Sequence, residues 1–221
     1  MKHLASLLVA CLLSILVACG GESPSGSVFN AGMLVDGRDG QSYRTVVIGK
    51  QVWMAENLNY ETERSFCYDD DPANCAKYGR LYLWADAIDM PEDECGYGRE
   101  CELGDVVQGV CPVGWHLPTD EEFETLIATV GGKETAARML KSDSGWAYDK
   151  GMDSYGFSAL PAGCREYNET YQYKGERTWF WTSTARQDTY AYFMAMWYID
   201  DDVGIGISTK EAAFSVRCVK N

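Results

Sequence analysis

The arrangement of the cysteines constrains this chain more than any other feature of its sequence. The 221 residues contain nine cysteines, of which Cys11 and Cys19 lie near the amino terminus and the other seven lie between Cys67 and Cys218. Disulfides persist in oxidising compartments, whereas cytosolic thiols usually stay reduced. Whether these cysteines form disulfides, and therefore which folds are accessible, depends on whether the chain is exported. The first residues of the chain indicate whether it is.

Residues 1–18 predict a signal peptide. Lys2 and His3 precede an apolar run over residues 4–17, which is shorter than the about 20 residues that a membrane-spanning helix needs. Residues 19–35 follow and are rich in Gly and Ser, a composition typical of a flexible tether. We therefore expect one folded domain over residues 36–221.

The end of the signal peptide indicates a lipid anchor. The sequence Leu16-Val17-Ala18-Cys19 resembles the lipobox of bacterial lipoproteins, which implies that Cys19 is linked to diacylglycerol and attaches the mature protein to a membrane. Gly20 follows where an Asp would favour the inner membrane, so we expect the outer membrane or the cell surface. The alternative is an ordinary signal peptide with an incidental cysteine.

The charge of the chain argues against nucleic-acid partners. It has 33 acidic and 19 basic residues, a formal net charge of −14, whereas nucleic-acid binding depends on Lys and Arg that neutralise phosphates. The two histidines are His3 and His116. Removal of the signal peptide leaves His116 alone, which excludes a metal site with two His ligands. We expect His116 to be a structural hydrogen-bonding residue.

Export makes disulfides the default state of the seven later cysteines. By position in the sequence, Cys67 is close to Cys75 and Cys95 is close to Cys101. The other three are Cys111, Cys164 and Cys218, of which Cys111 and Cys218 are far apart. The close pairs flank short loops rich in turn formers and could close locally. The distant pair could then tie the middle of the chain to its end, with Cys164 left over. A zinc site is disfavoured because the chain has no Cys-x-x-Cys pair.

The pattern of the chain predicts an α+β fold with two or three helices. Thr119 and Glu122 form a capping box, and the apolar spacing i, i+3, i+4, i+7 extends from Phe123 to Val130 before Gly131. Further helices are expected over 134–141 and within 82–89. Residues 43–54 predict a hairpin, and β-like runs cover 156–160, 178–183, 190–198 and 213–219. We expect a mostly antiparallel, twisted sheet.

Five separated phrases resemble a known family. They are DGRDGQSYRTVVIGKQVWMAENL (36–58), YGRLY (78–82), CPVGWHLPT (111–119), GFSALPAG (156–163) and FSVRCV (214–219). In this order they resemble the Fibrobacter succinogenes major paralogous domain, from about residue 36 to the end of the chain. The resemblance implies an exported protein, often a lipoprotein, with no established activity.

The same resemblance implies a fold related to C-type lectin-like domains. The phrase GWHLPTDEEF (114–123) and the closing FSVRCV are similar to phrases of formylglycine-generating-enzyme-like domains, which share that fold. Because termini lie close together in such folds, the analogy favours a bridge between Cys111 and Cys218. Formylglycine-generating enzymes hold copper with a thiol pair, and this chain has no closely spaced pair in that region. The resemblance therefore carries a fold and no activity.

Two runs of acidic residues are candidates for calcium binding. They consist of three consecutive carboxylates each: Asp69, Asp70 and Asp71 between two cysteines, and Asp200, Asp201 and Asp202 after a β-like run. Carboxylate oxygens are the ligands that calcium prefers. Consecutive acids cannot all face one ion, and acidic loops are common in a chain of this charge, so solvated loops are the alternative. No other cofactor is indicated.

Aromatic residues on the late strands could form either a ligand platform or a core. Alternation places Trp179 and Trp181 on one face of a strand, and Tyr190, Tyr192 and Tyr198 on one face of the next. Stacked aromatics serve both sugar-binding surfaces and cores. The second strand is apolar on both faces, which favours burial on both sides. In the core hypothesis, Trp181 packs against the apolar stripe of the 119–131 helix.

These observations favour a non-catalytic surface protein that binds a carbohydrate or a protein ligand and contacts the membrane through its lipid. One alternative is an enzyme, either of the formylglycine-generating-like class or a glycan hydrolase. Another is a purely structural surface protein.

The lipid anchor leads to a direct test. The Cys19→Ser variant should not be lipidated, because only a thiol at this position accepts the diacylglyceryl group, and it should stay uncleaved by the lipoprotein peptidase. Processing and detergent partitioning of the variant measure both effects. Recovery of a normally processed, detergent-partitioning variant would contradict the assignment.

Overall fold

The computed structural model describes residues 32–148 and 150–221. The predicted signal peptide, Cys19 and residues 19–31 of the predicted tether lie outside these residues. Within the described ranges, no helix is both long enough and apolar enough to cross a membrane.

Three antiparallel sheets and five α-helices make up the described part of the chain. The helices are α1 (Pro72–Tyr78), α2 (Trp84–Ala87), α3 (Glu92–Cys95), α4 (Asp120–Thr129) and α5 (Lys133–Leu140), with one 3-10 turn at Tyr68–Asp70. The fold is thus mixed and mostly antiparallel, as predicted, but its strands divide among three sheets where one was expected.

The first sheet joins the two ends of the domain. Its strands in spatial order are β1 (Gly32–Val35), β2 (Ser42–Ile48), β3 (Gln51–Met54), β13 (Val219–Lys220) and β6 (Trp115–His116). The hairpin of β2 and β3 confirms the prediction over 43–54. Strand β1 corrects the tether boundary, because residues 32–35 pair with β2 instead of continuing the tether.

The central sheet has three long strands and lies between two hydrophobic clusters. Its strands in spatial order are β11 (Val203–Thr209), β10 (Tyr190–Trp197) and β9 (Arg177–Arg186). The third sheet is built from short strands: β4 (Ser65–Phe66), β5 (Leu81–Leu83), β12 (Ala213–Phe214), β7 (Cys164–Arg165) and β8 (Tyr171–Gln172). Backbone hydrogen bonds between Trp181 and Ser215, and between Ser215 and Trp179, link it to β9.

The longest helix begins and packs as its sequence predicts. The Thr119 side chain accepts from the Glu122 backbone while the Glu122 side chain accepts from the Thr119 backbone, and Phe123, Leu126 and Ile127 are buried. Helices α5 and α2 correspond to the other two predicted ones. Helices α1 and α3 were not predicted, because both are short. Helix α1 begins inside the Cys67–Cys75 segment that was interpreted as a loop, and α3 ends at Cys95, where the second such loop begins.

The central sheet separates two cores, and this corrects the packing predicted for Trp181. Phe180 faces α4, with its ring centroid 6.4 Å from that of Phe123. Trp181 faces the other side, where its ring lies 4.3 Å from that of Phe214 and its indole N–H donates to the Tyr82 carbonyl at 2.8 Å. Trp181 is fully buried, as the core hypothesis expected, but alternation places its neighbour Phe180 against the helix.

The disulfides follow the predicted pattern. Bonds join Cys67 to Cys75, Cys95 to Cys101, and Cys111 to Cys218. The last closes a separation of 107 residues, for which the chain-entropy model gives about 5 kcal/mol of stabilisation. Cys164 is free and buried.

Alanine at either face of β9 should destabilise the domain. We expect Phe180→Ala and Trp181→Ala each to lower the free energy of unfolding by about 3–5 kcal/mol, because both side chains are fully buried in separate cores. Trp197→Ala is the control, since 40% of that residue is exposed. Urea unfolding measures all three, and an unchanged midpoint for Trp181→Ala would contradict the two-core arrangement.

Candidate ligand groove

A groove with a cavity volume of about 350 Å³ lies along β10 and the edge strand β11. We call it the aromatic groove, and its lining is Lys133, Trp179, Phe193, Ala195, Trp197, Asp200, Asp202, Val203, Gly204, Ile205 and Gly206. It combines an apolar surface with a few charged groups at one end, which is the usual character of a ligand site.

Two glycines create the floor of the aromatic groove. In the β10–β11 register Ala195 lies opposite Gly204, and Phe193 lies opposite Gly206. Val203 and Ile205 alternate with these glycines and pack in the core on the α4 side. A Cβ added at Gly204 would meet no atom within 4 Å, while one at Gly206 would lie 2.8 Å from the Phe193 ring. The floor is therefore open at Gly204, whereas the Phe193 ring covers Gly206.

Trp197 is the accessible indole of the aromatic groove. It is 40% exposed, and the guanidinium carbon of Arg177 lies 4.6 Å from its ring centroid, a cation–π contact that steadies the ring. Trp179 is only 8% exposed, because its ring stacks on that of Phe214 at 5.6 Å. Trp179 thus forms a wall, and Trp197 offers the free aromatic surface.

The structure brings only some of the predicted aromatic candidates to this groove. Trp179 lines it, whereas Trp181 is buried on Phe214. Tyr190 lies at the opposite end of β10, and Tyr198 packs against Tyr148 with ring centroids 5.5 Å apart. Tyr192 is half-buried, with the Arg186 guanidinium 6.0 Å from its ring centroid.

Sequence reasoning missed Phe193 and Trp197 as lining residues. Alternation placed Phe193 and Trp197 on the face of β10 opposite to Tyr190 and Tyr198. The groove lies on the face that carries Phe193 and Trp197. The signal that could have found them is the pattern Val-Gly-Ile-Gly-Ile over 203–207. It leaves one face of a strand without side chains beside an aromatic neighbour.

Two residues of the second acidic run line the groove. Asp200 and Asp202 lie in its lining, and Lys133 reaches it from the start of α5. Asp201 contributes its backbone instead, because its carbonyl accepts from the Ala137 N–H at 2.9 Å. Asp200 and Asp202 therefore line the groove, while Asp201 holds the loop in place through its carbonyl group.

The first acidic run is occupied by contacts within the protein. Asp69 lies 3.3 Å from the Lys174 ammonium, Asp70 accepts from the Tyr171 hydroxyl at 2.5 Å, and Asp71 caps α1. Over residues 32–148 and 150–221, no group of three or more His, Cys, Asp or Glu side chains is placed to hold a metal ion. Neither run forms a preassembled calcium site there.

Cys164 has the properties of a structural thiol. Burial raises its pKa far above the ordinary value, and its Sγ donates to a Glu166 carboxylate oxygen at 3.5 Å. Because a thiolate is the reactive form of cysteine, this residue is a poor nucleophile. It is the one free cysteine among the described residues, so these residues do not provide the thiol pair of formylglycine-generating enzymes.

Comparison with known families assigns most of the chain. Residues 46–220 match the Fibrobacter succinogenes major domain (Fib_succ_major). The chain belongs to this family. The Fibrobacter succinogenes major domain includes the whole aromatic groove and all three disulfides. No curated protein and no solved structure matches the chain.

His116 of the Fibrobacter succinogenes major domain lies outside the aromatic groove and ties three segments together. Its Nδ1 lies 2.6 Å from the Asn221 Oδ1, and its Nε2 lies 2.9 Å from the Glu122 carboxylate. The hydrogen bond to Glu122 raises the pKa of His116. Burial alone would raise the pKa of Glu122, but hydrogen bonds from His116 and Thr119 lower it.

This pair predicts that stability decreases as the pH rises above 6.5. The folded-state pKa of His116 exceeds 6.5, so its contribution is complete below pH 6.5 and is lost as pH rises through the folded-state value. The contribution of Glu122 is complete above pH 4.5 and is lost as pH falls through its lowered pKa. The pair therefore stabilises most between these two values.

We expect the stability difference between the protein and its His116→Gln variant to shrink from about pH 6 to about pH 8. Urea unfolding at both values measures it. A difference that is the same at both pH values would show that the imidazolium form makes no contribution.

Proposed function

We propose that the aromatic groove binds a carbohydrate and that the protein is a non-catalytic binding module of the cell surface. The observation that carries this proposal is the position of the exposed Trp197 beside the open floor at Gly204, with the carboxylates of Asp200 and Asp202 at the same end. Each part of this arrangement matches one part of a sugar ring.

A sugar ring has faces of C–H groups and an edge of hydroxyls. The indole of Trp197 offers a flat apolar surface for such a face, and Asp200 and Asp202 offer oxygens that accept charge-assisted hydrogen bonds from hydroxyls. The floor without side chains at Gly204 leaves room for the ring to approach the sheet.

Charge narrows the class of carbohydrate. The net charge of −14 and the acidic end of the groove oppose anionic polysaccharides. The proposal therefore commits to a neutral oligosaccharide.

The proposed location follows from the lipid anchor expected at Cys19. Twelve residues lie between Cys19 and Gly32, where β1 begins, and a fully extended chain between these two residues spans at most about 45 Å. The domain would thus stay near the outer-membrane surface with its groove free. The kinship with C-type lectin-like folds belongs to the same proposal, and the shared sheet of β1 and β13 supports it.

A peptide is the second candidate ligand. Strand β11 is the edge of its sheet, and an extended peptide could add to such an edge through backbone hydrogen bonds. The experiment below separates this candidate from the first, because a peptide that pairs along the edge does not depend on the indole of Trp197.

Filling the floor should abolish binding without unfolding the protein. We expect Gly204→Leu to lose neutral oligosaccharides that the unchanged protein retains on a glycan array, because the new side chain occupies open space. Trp197→Ala should weaken the same binding by about 1–3 kcal/mol, the scale of one aromatic stacking contact. Calorimetric titration measures both effects.

Gly37→Leu is the matched control, because a Cβ there also meets no atom within 4 Å and the residue lies outside the groove. It should bind normally, and the melting temperatures of both leucine variants should equal that of the unchanged protein. Peptide binding that survives Trp197→Ala would favour strand addition. Cleavage of a retained oligosaccharide would favour the hydrolase alternative.

A further inference from the structure

A fully buried lysine contacts the loop that carries one end of the aromatic groove. Lys141 directly follows α5 and has no exposed surface. Its Nζ donates to the Trp197 carbonyl at 3.3 Å and to the Asp200 carbonyl at 3.0 Å. Both acceptors belong to residues that line the groove.

The same loop has a second attachment to α5. The Ala137 N–H donates to the Asp201 carbonyl at 2.9 Å. The loop from Trp197 to Asp202 is therefore held by the last turn of α5 and by its C-cap residue Lys141, through carbonyl groups at three of its positions. Three of its residues, Trp197, Asp200 and Asp202, line the groove, whereas Tyr198 packs against Tyr148.

Burial of an amine in this position is costly and needs a compensating role. An ammonium taken out of water loses its hydration, and hydrogen bonds offset that loss only in part. An aliphatic side chain would fill the same space without this cost, but it would remove a donor from the Asp200 carbonyl and leave the Trp197 carbonyl with the Asp200 N–H at 3.5 Å. The lysine therefore supplies hydrogen-bond donors that hold the conformation of the loop.

We propose that Lys141 is a positioning residue of the aromatic groove, which sets the place of Trp197 and Asp200 through their carbonyls. This inference rests on the proposed function for its effect on binding. Its effect on the loop is independent of any ligand.

Lys210 provides a matched control elsewhere in the molecule. It is 1% exposed, its Nζ lies 2.8 Å from the Arg99 carbonyl and 3.5 Å from that of Gly96, and it lies 4.6 Å from the ring centroid of Trp84. Lys141 likewise lies 5.3 Å from that of Trp146. Both lysines donate to loop carbonyls and lie beside an indole ring, but Lys210 holds the Cys95–Cys101 loop instead of the groove.

The first experiment uses no ligand. Hydrogen exchange of the backbone amides at 198–203 is compared in the full chain and in its Lys141→Met and Lys210→Met variants. We expect exchange at 198–203 to become about tenfold faster in Lys141→Met and to stay unchanged in Lys210→Met. Equal exchange in the two variants would overturn the proposal. If Lys141→Met does not fold, Lys141→Gln, which is one atom shorter, replaces it.

The second experiment measures binding to neutral hexose oligosaccharides. Lys141→Met should weaken their binding about fivefold, while Lys210→Met should not change it. In the Trp197→Ala background the same substitution should have about half of that effect or less, because the two residues act through one contact. Full additivity would overturn the positioning role. If the unchanged protein binds no oligosaccharide, the proposed function fails, while the exchange result still decides the role of Lys141 in the loop.

Discussion

The buried guanidinium of Arg217 is the contact on which the rest of this structure depends. It donates to the Asn57 side chain at 2.8 Å, to the Ser158 carbonyl at 2.9 Å, and to the carbonyls of Phe157 and Met54. Burial lowers its pKa to about 9. Four hydrogen bonds to parts of the chain some 60 to 163 residues away offset that desolvation. A single side chain near the carboxyl terminus thus contacts the end of the β2–β3 hairpin, the Asn57 side chain and the backbone at residues 157–158.

Arg217 and its sequence neighbours contact both hydrophobic cores. Arg217 lies 4.4 Å from the ring centroid of Phe157 and 5.4 Å from that of Phe180, so it touches the cluster beneath α4. Its neighbour Cys218 is bonded to Cys111, and Val216 and Cys218 belong to the opposite cluster. The residues from Phe214 to Val219 therefore connect both sides of the central sheet. Glycines in the floor of the groove are compatible with a stable sheet, because the two hydrophobic clusters stabilise that sheet.

Sequence patterns that involve residues a few positions apart predicted the corresponding local structures correctly. The capping box at Thr119 and the two short cysteine loops depend on residues a few positions apart, and the structure has all of them. Alternation predicted that Phe180 and Trp181 face opposite ways but could not tell which one meets α4, because that depends on strand order. The groove was not predictable for the same reason. It needs Gly204 to lie beside Ala195, a pairing set by the β10–β11 register.

The order of strands in the first sheet has a mechanical consequence. Strand β1 pairs only with β2, lies before every disulfide of the described chain, and exposes 65% of Met33 and 61% of Val35. A pull that reaches the domain through its amino-terminal side loads this four-residue strand first. Peeling it away would leave all three disulfides intact and would remove only Leu34 from its packing against one of the cores. Strand β1 would therefore detach before the disulfide-bonded part of the domain unfolds.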